Sequence, residues 1–351
     1  MPDRLRLGLI FGGRSVEHEV SVVSAQHVIA AAEAKRFEVV PIGVTKTGQW
    51  LSPAETAAQL AIPEPAFQKQ LKAPEGAPVI DLDALRTVDV AFPLIHGTHG
   101  EDGTLQGLLE LLGLPYVGCG VAASAVGMDK ALMKAAFRGN GLPVVDHVVL
   151  RAGVDEKATL DLAREIEERI GYPAFVKPAN GGSSVGISKV RGREELVTAL
   201  GLAAQHDRKL VVEKGVTARE IECAILGNED AQASPLGEIR HQRDFYDYEA
   251  KYLDARTEVV APVDLPADVA SKIQEMALAC YHAIDCSGMS RVDFFLFDDG
   301  SIIIDEINTI PGFTPASMFP RLWQAAGVTY RELITRLVDL ALTRHREQRF
   351  A

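Results

Sequence analysis

Apolar runs and helical periodicity alternate along the first part of the chain. Leu5–Phe11, Glu38–Val44 and Val88–Ile95 are short apolar runs that predict buried strands. The segment Val20–Glu33 between the first two predicts a helix. Strands that alternate with helices indicate βαβ units and a parallel sheet covered by helices. The stretch 59–78 holds four prolines and predicts an irregular excursion.

Farther along, short strands are joined by Gly-rich turns. Strands are predicted at Phe175–Lys177, Gly186–Val190, Leu210–Glu213, Arg219–Leu226, Arg291–Phe297 and Ser301–Ile304. Helices are predicted at Lys130–Arg138, at Ala158–Ile170, from Val269 to Ile284 and from Leu333 to Ala341. We therefore expect an α/β (α+β) protein with a βαβ domain over 1–122 and two mixed or antiparallel α+β domains over 123–214 and 215–351.

The composition narrows the class of protein. The 351 residues are 47% hydrophobic and 24% charged, as in globular proteins, and the net charge is −12. An acidic chain is a poor candidate for nucleic-acid binding, which depends on neutralising phosphates. The sequence has no signal-peptide pattern and no apolar stretch long enough to span a membrane. The four cysteines form no C-x-x-C pair, so we expect reduced thiols and a cytoplasmic location without membrane partners.

A hairpin near the C-terminal end carries the strongest candidate chemistry. An Asp-Asp-Gly turn joins two apolar runs, and the strand period of two places Arg291, Asp293 and Phe295 on one face. Glu306 and Asn308 are paired in the same way on the second arm. Two carboxylates and a carboxamide suit Mg²⁺, and the arginine could stabilise developing anionic charge. The alternative is a surface hairpin with solvated acids.

A Gly/Ser loop follows a predicted strand at Lys177. Its glycines, with Ser183 and Ser184, offer backbone and hydroxyl donors to phosphate oxygens, and the lysine supplies charge. The loop is not a Walker A motif, because no Gly-Lys-Ser/Thr opens a helix. Alone it could equally be a flexible turn. Together with the candidate metal-binding hairpin, the Gly/Ser loop is interpreted as a lid over a nucleotide's phosphates.

Two loops after N-terminal strands carry acids and histidine. Glu17 and Glu19 could bind a ligand amino group or could cap the next helix. The loop containing His96 has irregular spacing for zinc, so a substrate hydrogen bond from His96 is favoured, and helix capping by Asp102 is favoured more strongly still.

Three of the seven tyrosines lie within 245–252, which predicts a loop that closes over an active site, or an aromatic surface loop.

Together these motifs resemble those of the D-alanine–D-alanine ligases, bacterial enzymes with the ATP-grasp fold that supply the dipeptide for peptidoglycan. The similarity runs essentially from end to end. Its markers, in chain order, are Gly12-Gly13 with Glu17–Ser21, His96-Gly97 with Gly100–Gly103, Met128–Lys130, Lys177-Pro178 with Gly182–Gly186, Tyr246–Tyr248 with Lys251-Tyr252, Arg291 with Asp293, and Glu306–Thr309 with Pro311–Thr314 and Ser317.

The resemblance implies an ATP site between the central and C-terminal domains, with two Mg²⁺ ions, which Mn²⁺ can replace, on Asp293, Glu306 and Asn308. It implies ATP contacts at Lys130, Lys177, Ser184, Glu213, Lys214, Glu220, Lys251 and Phe295. It implies catalytic roles for Glu17, Ser183, Tyr252, Arg291 and Gly312, and substrate contacts at His96, Ser317 and Met318. Many family members have Leu at the position of Met318, a change that would slightly reshape the pocket for the second D-alanine.

The implied reaction forms D-alanyl phosphate from ATP and then joins a second D-alanine, and the implied assembly is a homodimer. Phosphoryl transfer needs positioned charges more than a side-chain nucleophile, which agrees with the residues present. There are three rival hypotheses. An ATP-dependent ligase for other carboxylates and amines is disfavoured by the Tyr-rich loop and Glu17, and a nucleotide-binding regulatory module is disfavoured by the full set of metal acids and phosphate-site lysines. The third rival is a dinucleotide-dependent oxidoreductase. The last is disfavoured because the turn after the first strand lacks G-x-G-x-x-G.

Overall fold

A parallel sheet forms the N-terminal part of the computed structural model, which describes residues 4–65, 67–153, 156–183, 185–240 and 258–348. Its strands are β1 (Leu5–Gly12), β2 (Phe37–Val44) and β3 (Val90–Pro93), in the order β2-β1-β3. Helix α1 (His18–Ala31) packs on β1. Alternate β1 residues enter two separate cores, with Leu9 in one and Ile10 in the other. Both faces are therefore covered, which explains why β1 is a continuous apolar run.

A four-stranded antiparallel sheet forms the central part. Its strands are β4 (His147–Arg151), β5 (Ala174–Pro178), β6 (Ser188–Val190) and β7 (Lys209–Lys214), in the order β4-β7-β5-β6. Helices α7 (Glu156–Arg169) and α8 (Arg193–Ala203) belong to the same part of the fold. Residues of these helices, including Ile166 and Leu196, share one core with the sheet. This part of the fold thus has a hydrophobic core of its own.

A five-stranded antiparallel sheet forms the C-terminal part. Its strands are β8 (Arg219–Gly227), β9 (Gln232–Arg240), β10 (Glu258–Val260), β11 (Gly288–Leu296) and β12 (Ile302–Asn308), in the order β10-β9-β8-β11-β12. One face of this sheet shares a core with helices α5 (Val121–Met128), α6 (Lys130–Gly139) and α9 (Ala267–Ala283). The other face of the sheet contributes to a second core, which also contains α10 (Met318–Ala325), α11 (Tyr330–Gln348) and residues of the N-terminal sheet. This shared core packs the N-terminal and C-terminal sheets against each other.

The remaining described helices are short. They are α2 (Pro53–Leu60), α3 (Leu82–Arg86) and α4 (Thr104–Leu111). The excursion after α2 is irregular, as its prolines predict. Among the described helices, none is both long and apolar enough to cross a bilayer.

The pairing of β11 with β12 departs from strict alternation. Asp293 lies opposite Glu306, but Phe294 lies opposite Ile304, so Asp305 is an extra residue on β12. Such a bulge lets two successive side chains turn toward one side of the sheet. Asp305 and Glu306 accordingly both line the same cavity.

Candidate active site

A cavity of about 680 Å³ lies where loops and strand ends of the three sheets meet. Every predicted site residue that the structure describes lines this cavity. They are Glu17, His96, Lys130, Lys177, Ser183, Glu213, Lys214, Glu220, Arg291, Asp293, Phe295, Glu306, Asn308, Gly312, Ser317 and Met318. Ser184, Lys251 and Tyr252 lie outside the described residues, as does the Tyr-rich stretch 245–252 to which two of them belong.

Lysines and acids from the central sheet, from α6 and from β12 form a buried cluster at the cavity. Lys177 Nζ lies 2.7 Å from Glu213 Oε2 and 3.6 Å from Asp305 Oδ1. Lys134 Nζ lies 3.1 Å from Glu213 Oε1. Burial would raise the pKa of Glu213, but the two lysine charges outweigh it and lower that pKa to about 2. Burial would likewise lower the pKa of Lys177, and the charges of Asp305 and Glu213 raise it instead.

Lys130 joins this cluster from the first turn of α6. Its Nζ donates to the carbonyl of Gly181 at 2.8 Å and lies 3.6 Å from Glu306 Oε2. Asp129 caps the same helix by accepting from the backbone N–H groups of the second and third helical residues. Lys130 is therefore held between the Gly/Ser loop and the β11–β12 hairpin.

Arg291, Asp293 and Asn308 of the hairpin meet as the strand period predicts. Arg291 donates from Nε and Nη2 to the two oxygens of Asp293, each at 2.7 Å. Its Nε also lies 2.9 Å from Glu222 Oε2. Asn308 Nδ2 donates to Asp293 Oδ2 at 3.0 Å. Burial would lower the pKa of Arg291, but the charges of Asp293 and Glu222 raise it, so this guanidinium stays charged.

The metal assignment depends on a carboxamide as well as carboxylates. Within the described ranges, no three His, Cys, Asp or Glu side chains are grouped to hold a metal ion. The hairpin supplies two carboxylates, Asp293 and Glu306, which lie opposite each other, and the side chain of Asn308 farther along the same strand. These are hard oxygen donors of the kind that Mg²⁺ takes together with substrate phosphates.

The two N-terminal acids, Glu17 and Glu19, have different surroundings. Glu17 is buried and lines the cavity, and its side chain makes no capping hydrogen bond to α1. A Cβ on Gly182 would lie 3.1 Å from Glu17 Oε2, so the Gly/Ser loop closely approaches this carboxylate. Glu19 instead accepts from Lys46 Nζ at 2.6 Å and from Gln70 Nε2 at 2.8 Å. Only Glu17 therefore faces the candidate site.

His96 lies beside Glu17 with one ring nitrogen engaged. Its Nδ1 donates to the carbonyl of Ile310 at 3.1 Å, which leaves Nε2 as the acceptor of the neutral ring. Nε2 is buried and has no hydrogen-bond partner among the described residues. Burial lowers the pKa of His96 and thus favours this neutral form.

Glu101 lies in the same loop, within the family markers Gly100–Gly103, and the sequence analysis gives it no role of its own. Its carboxyl oxygens accept from the backbone N–H of Gly97 at 2.5 Å and of Ile310 at 3.3 Å. Burial, and then the charge of Glu17, raise the pKa of Glu101 to about 8.

Asp102, expected to cap a helix, lies one residue before the cap position of α4. It accepts from the first helical N–H, that of Thr104, at 3.1 Å.

The start of α10 forms another wall of the cavity. Ser317 Oγ accepts from Thr314 N at 3.1 Å and shares a 2.9 Å hydrogen bond with Thr314 Oγ1. A Cβ on Gly312 would lie 3.1 Å from Ser317 Oγ, which shows how closely the two segments pack. Met318 is buried, and a Cβ on Gly237 would lie 2.3 Å from its Sδ. Met318 thus packs against β9 as well as lining the cavity.

Reasoning from the sequence gave no site role to four charged residues near the cavity: Glu101, Lys134, Glu222 and Asp305. Signals for three of them exist in the chain. Lys134 comes four positions after Lys130 and so shares its helix face. Glu222 comes two positions after Glu220 and shares its strand face. The adjacent acids Asp305 and Glu306 break the alternation of β12, which is typical of a bulge.

Comparison with known proteins identifies the family. Residues 6–119 match the family model described as "D-ala D-ala ligase N-terminus", and residues 136–339 match "D-ala D-ala ligase C-terminus". A D-alanine–D-alanine ligase of Bacillus pumilus is 46% identical over 98% of each chain.

Solved structures give the same result. The D-alanine–D-alanine ligase of Coxiella burnetii has a TM-score of 0.81 at 33% identity and covers 99% of this chain and 96% of its own. The VanG D-Ala:D-Ser ligase of Enterococcus faecalis has a TM-score of 0.80 at 33% identity and covers 97% and 100%. A Bacillus anthracis D-alanine–D-alanine ligase complexed with ATP has a TM-score of 0.76 at 29% identity and covers 98% and 99%.

The fold and the charged cleft are those of an ATP-grasp enzyme, an ATP-dependent carbon–nitrogen ligase. Within that class, the chain belongs to the D-alanine–D-alanine ligase family. The resemblance drawn from the motifs is confirmed, and so are the expected fold class and the expected class of enzyme. The regulatory module and the oxidoreductase are set aside.

Proposed function

We propose that the cavity joins two D-alanine molecules into D-alanyl-D-alanine, through a D-alanyl phosphate made from ATP, for peptidoglycan synthesis. The observation that carries this proposal is that two different sets of polar side chains line one cavity, and we call their places the phosphate end and the first-substrate end. Lys130 and Lys177 provide cations at one end, while Glu17 and the acceptor nitrogen of His96 lie at the other. A nucleotide triphosphate suits the first end, and the ammonium group of an amino acid suits the second.

The triphosphate is assigned to the lysine cluster and the Gly/Ser loop. Lys130 and Lys177 neutralise phosphate charge, with Lys251 and Ser184 added from outside the described residues. Glu213 is engaged with the lysines, so we assign it first to holding Lys177 in place and only second to the nucleotide base. Lys214, Glu220 and Phe295 line the same cavity and are assigned to the base and ribose.

Magnesium is assigned to Asp293, Glu306 and Asn308, with Mn²⁺ as an alternative ion. The fit rests on the donor set: two carboxylates and a carboxamide face the cavity beside the lysines. Mg²⁺ bound there would neutralise phosphate charge and orient the γ-phosphate. Arg291 and Asn308 hold the carboxylate of Asp293 in the described arrangement.

The first D-alanine is assigned to Glu17 and His96. Its ammonium would donate to the Glu17 carboxylate and to His96 Nε2. Its carboxylate oxygen would then point toward the γ-phosphate and attack phosphorus, so that a phosphorus–oxygen bond forms as the bond to ADP breaks. Positioning and charge neutralisation supply most of the catalysis in such a transfer.

The second D-alanine is assigned to the segment from Gly312 to Met318. Ser317 and the positive end of α10 would hold its carboxylate. Its neutral amine attacks the acyl carbon, and the carbon–oxygen bond to phosphate breaks. Arg291 and the Gly312 backbone N–H would stabilise the charge that develops on the carbonyl oxygen. Ser183, whose Oγ is buried, would join Tyr252 in closing the site over Glu17.

Three further assignments complete the proposal. Domains are placed at 1–122, 123–214 and 215–351. The enzyme is expected to act as a homodimer, and in the cytoplasm, where its product is consumed. Neither nucleic acid nor a membrane is expected as a partner.

The test is product analysis with ATP and Mg²⁺. The purified chain is incubated with D-alanine, L-alanine, or D-alanine mixed with D-serine or D-lactate at neutral pH. We expect D-alanyl-D-alanine with one ADP per dipeptide, and little product from L-alanine. Mainly D-alanyl-D-serine, the product type named for the VanG neighbour, would move the chain to that specificity. Mainly depsipeptide, or no D-alanine-dependent ADP, would overturn the proposal.

The metal assignment has its own test, the Glu306→Gln variant. The amide keeps the volume but removes the charge, so we expect most D-alanine-dependent ATPase activity to be lost at ordinary Mg²⁺. Asp299→Asn is the matched control, because Asp299 is an acid of the same hairpin whose hydrogen bonds to described residues stay within its own turn, with Ser301 N donating at 2.9 Å. Near-normal turnover by well-folded Glu306→Gln would reject the metal assignment.

A further inference from the structure

Glu101 connects two loops that belong to different sheets. One is the loop after β3, which carries His96, and the other is the segment after β12, which leads to Gly312. Glu101 Oε2 accepts from Gly97 N at 2.5 Å, within its own loop. Glu101 Oε1 accepts from Ile310 N at 3.3 Å, across the boundary between the loops. One side chain therefore holds the backbone of both.

The peptide groups around Ile310 are held from two directions. Its N–H donates to Glu101, and its carbonyl accepts from His96 Nδ1 at 3.1 Å. The Ile310 side chain is buried. Both hydrogen bonds come from one loop, so they fix the position and the orientation of this backbone segment relative to the first-substrate end.

The position of Ile310 constrains the next residues of the segment. Pro311 is its immediate neighbour, and the proline ring fixes the φ angle there, so the backbone has little freedom between Ile310 and Gly312. Gly312 in turn packs closely on Ser317. A displacement at Ile310 is therefore transmitted to the segment assigned to the acyl carbonyl and to the second substrate.

We propose that Glu101 is a positioning residue for ligation: with His96 it clamps the Ile310 backbone, and thereby aligns the first-substrate loop with the segment that carries Gly312 and Ser317. This inference rests on the proposed function and extends it to a residue outside the assigned contacts. The clamp acts on the alignment of the two substrates, because its bonds reach neither the lysine cluster nor the hairpin acids.

The central test is the Glu101→Gln variant. A carboxyl group accepts both backbone bonds, whereas an amide has one acceptor oxygen and one donor nitrogen, so one N–H loses its partner. We expect kcat for dipeptide formation to fall roughly tenfold. The KM for ATP should stay within about twofold, and released ADP should exceed dipeptide because misaligned acyl phosphate reaches water.

Asp102→Asn is the matched control. Asp102 is the neighbouring acid, and its bonds to the backbone N–H groups of His99 and Thr104 stay within its own loop. We expect this variant to retain wild-type kcat and one ADP per dipeptide. An equal loss in both variants, or a parallel loss of ATP affinity in Glu101→Gln, would indicate general damage to the loop and overturn the proposal. Wild-type kinetics in folded Glu101→Gln would also overturn it.

Hydrogen exchange keeps the proposal testable if Glu101→Gln does not fold. In the wild-type enzyme without ligands, the amides of Gly97 and Ile310 should both be protected. Rapid exchange of the Ile310 amide would contradict the clamp directly. Failure of the wild-type enzyme to make any dipeptide would instead contradict the proposed function, and the exchange result would still judge the clamp.

Discussion

The two ends of the cleft treat a buried carboxyl group in opposite ways. At the phosphate end, Glu213 lies between Lys134 and Lys177, and its pKa falls to about 2. At the first-substrate end, burial and the charge of Glu17 raise the pKa of Glu101 to about 8. Both groups are acids in one cavity, so the difference comes from their neighbours and not from depth alone.

This contrast explains how one cavity can hold an anion and a cation. At the phosphate end, Glu213 and Asp305 pair with Lys134 and Lys177 and so hold these cations in place for the polyphosphate proposed to bind there. At the other end, the Glu17 carboxylate would favour an ammonium group. A bound triphosphate and a bound ammonium group would each pair with the opposite charge in the cavity, which orients the reactants before any chemistry begins.

The largest expected effect comes from removing a cation at the phosphate end. Lys177→Met deletes a positioned charge while keeping similar length, so we expect kcat/KM for ATP to fall by about 10²- to 10³-fold. Lys46→Met is the control, because Lys46 pairs with Glu19 away from the cavity, and it should stay near wild type. Steady-state ADP release measures both. Comparable losses in the two variants would show that the cluster has no special role.

An intermediate effect is expected in the pH dependence of the free energy of unfolding. The folded-state pKa of Glu213 lies below its ordinary value of 4.5, so its contribution is present above about pH 4.5 and is lost as pH falls toward 2. That contribution is on the order of 3 kcal/mol. Glu213→Gln should therefore flatten the acid limb of the stability curve measured by urea unfolding.

Glu101 should show the opposite sign. Its folded-state pKa lies above the ordinary value, so its contribution is present below about pH 4.5 and is lost as pH rises through 8. Relative to Glu101→Gln, the wild type should lose stability across that interval. If both variants shift the curve in the same direction, the contrast between the two ends is wrong.

Some of the side-chain placements behind this contrast could be predicted from the sequence, and others could not. The period of two in a strand predicted that Asp293 would share a face with Arg291, and the two are hydrogen bonded. The bulge at Asp305 breaks that period, so its side chain could not be placed from alternation. The role of Glu101 depends on Ile310, which is 209 positions away, and no local pattern reports such a contact.

Strands without a clean pattern were also missed. β9 (Gln232–Arg240) mixes Ser, Pro and Gly with two charged residues, and its burial comes from pairing with β8 and from contact with α10. Tertiary packing determines that such a segment forms a strand, because its intrinsic β-propensity is weak. The apolar run of β1, by contrast, was predicted almost to the residue.

The smallest expected effect distinguishes Glu17 from Glu19, since the sequence alone could not tell which of them binds the amino group of a ligand. Glu17→Gln removes the charge that faces the cavity, and the loss of one charged hydrogen bond corresponds to a rise in KM for the first D-alanine of roughly tenfold to a hundredfold. Glu19→Gln is the matched control two residues away. Among the described residues it weakens the bonds to Lys46 and Gln70, and none of these three residues lines the cavity, so KM should change by less than about twofold. Initial rates at varied D-alanine, with ATP saturating, give both values. Equal KM values for the two variants would mean that the acidic end of the cleft does not recognise the ammonium group through Glu17.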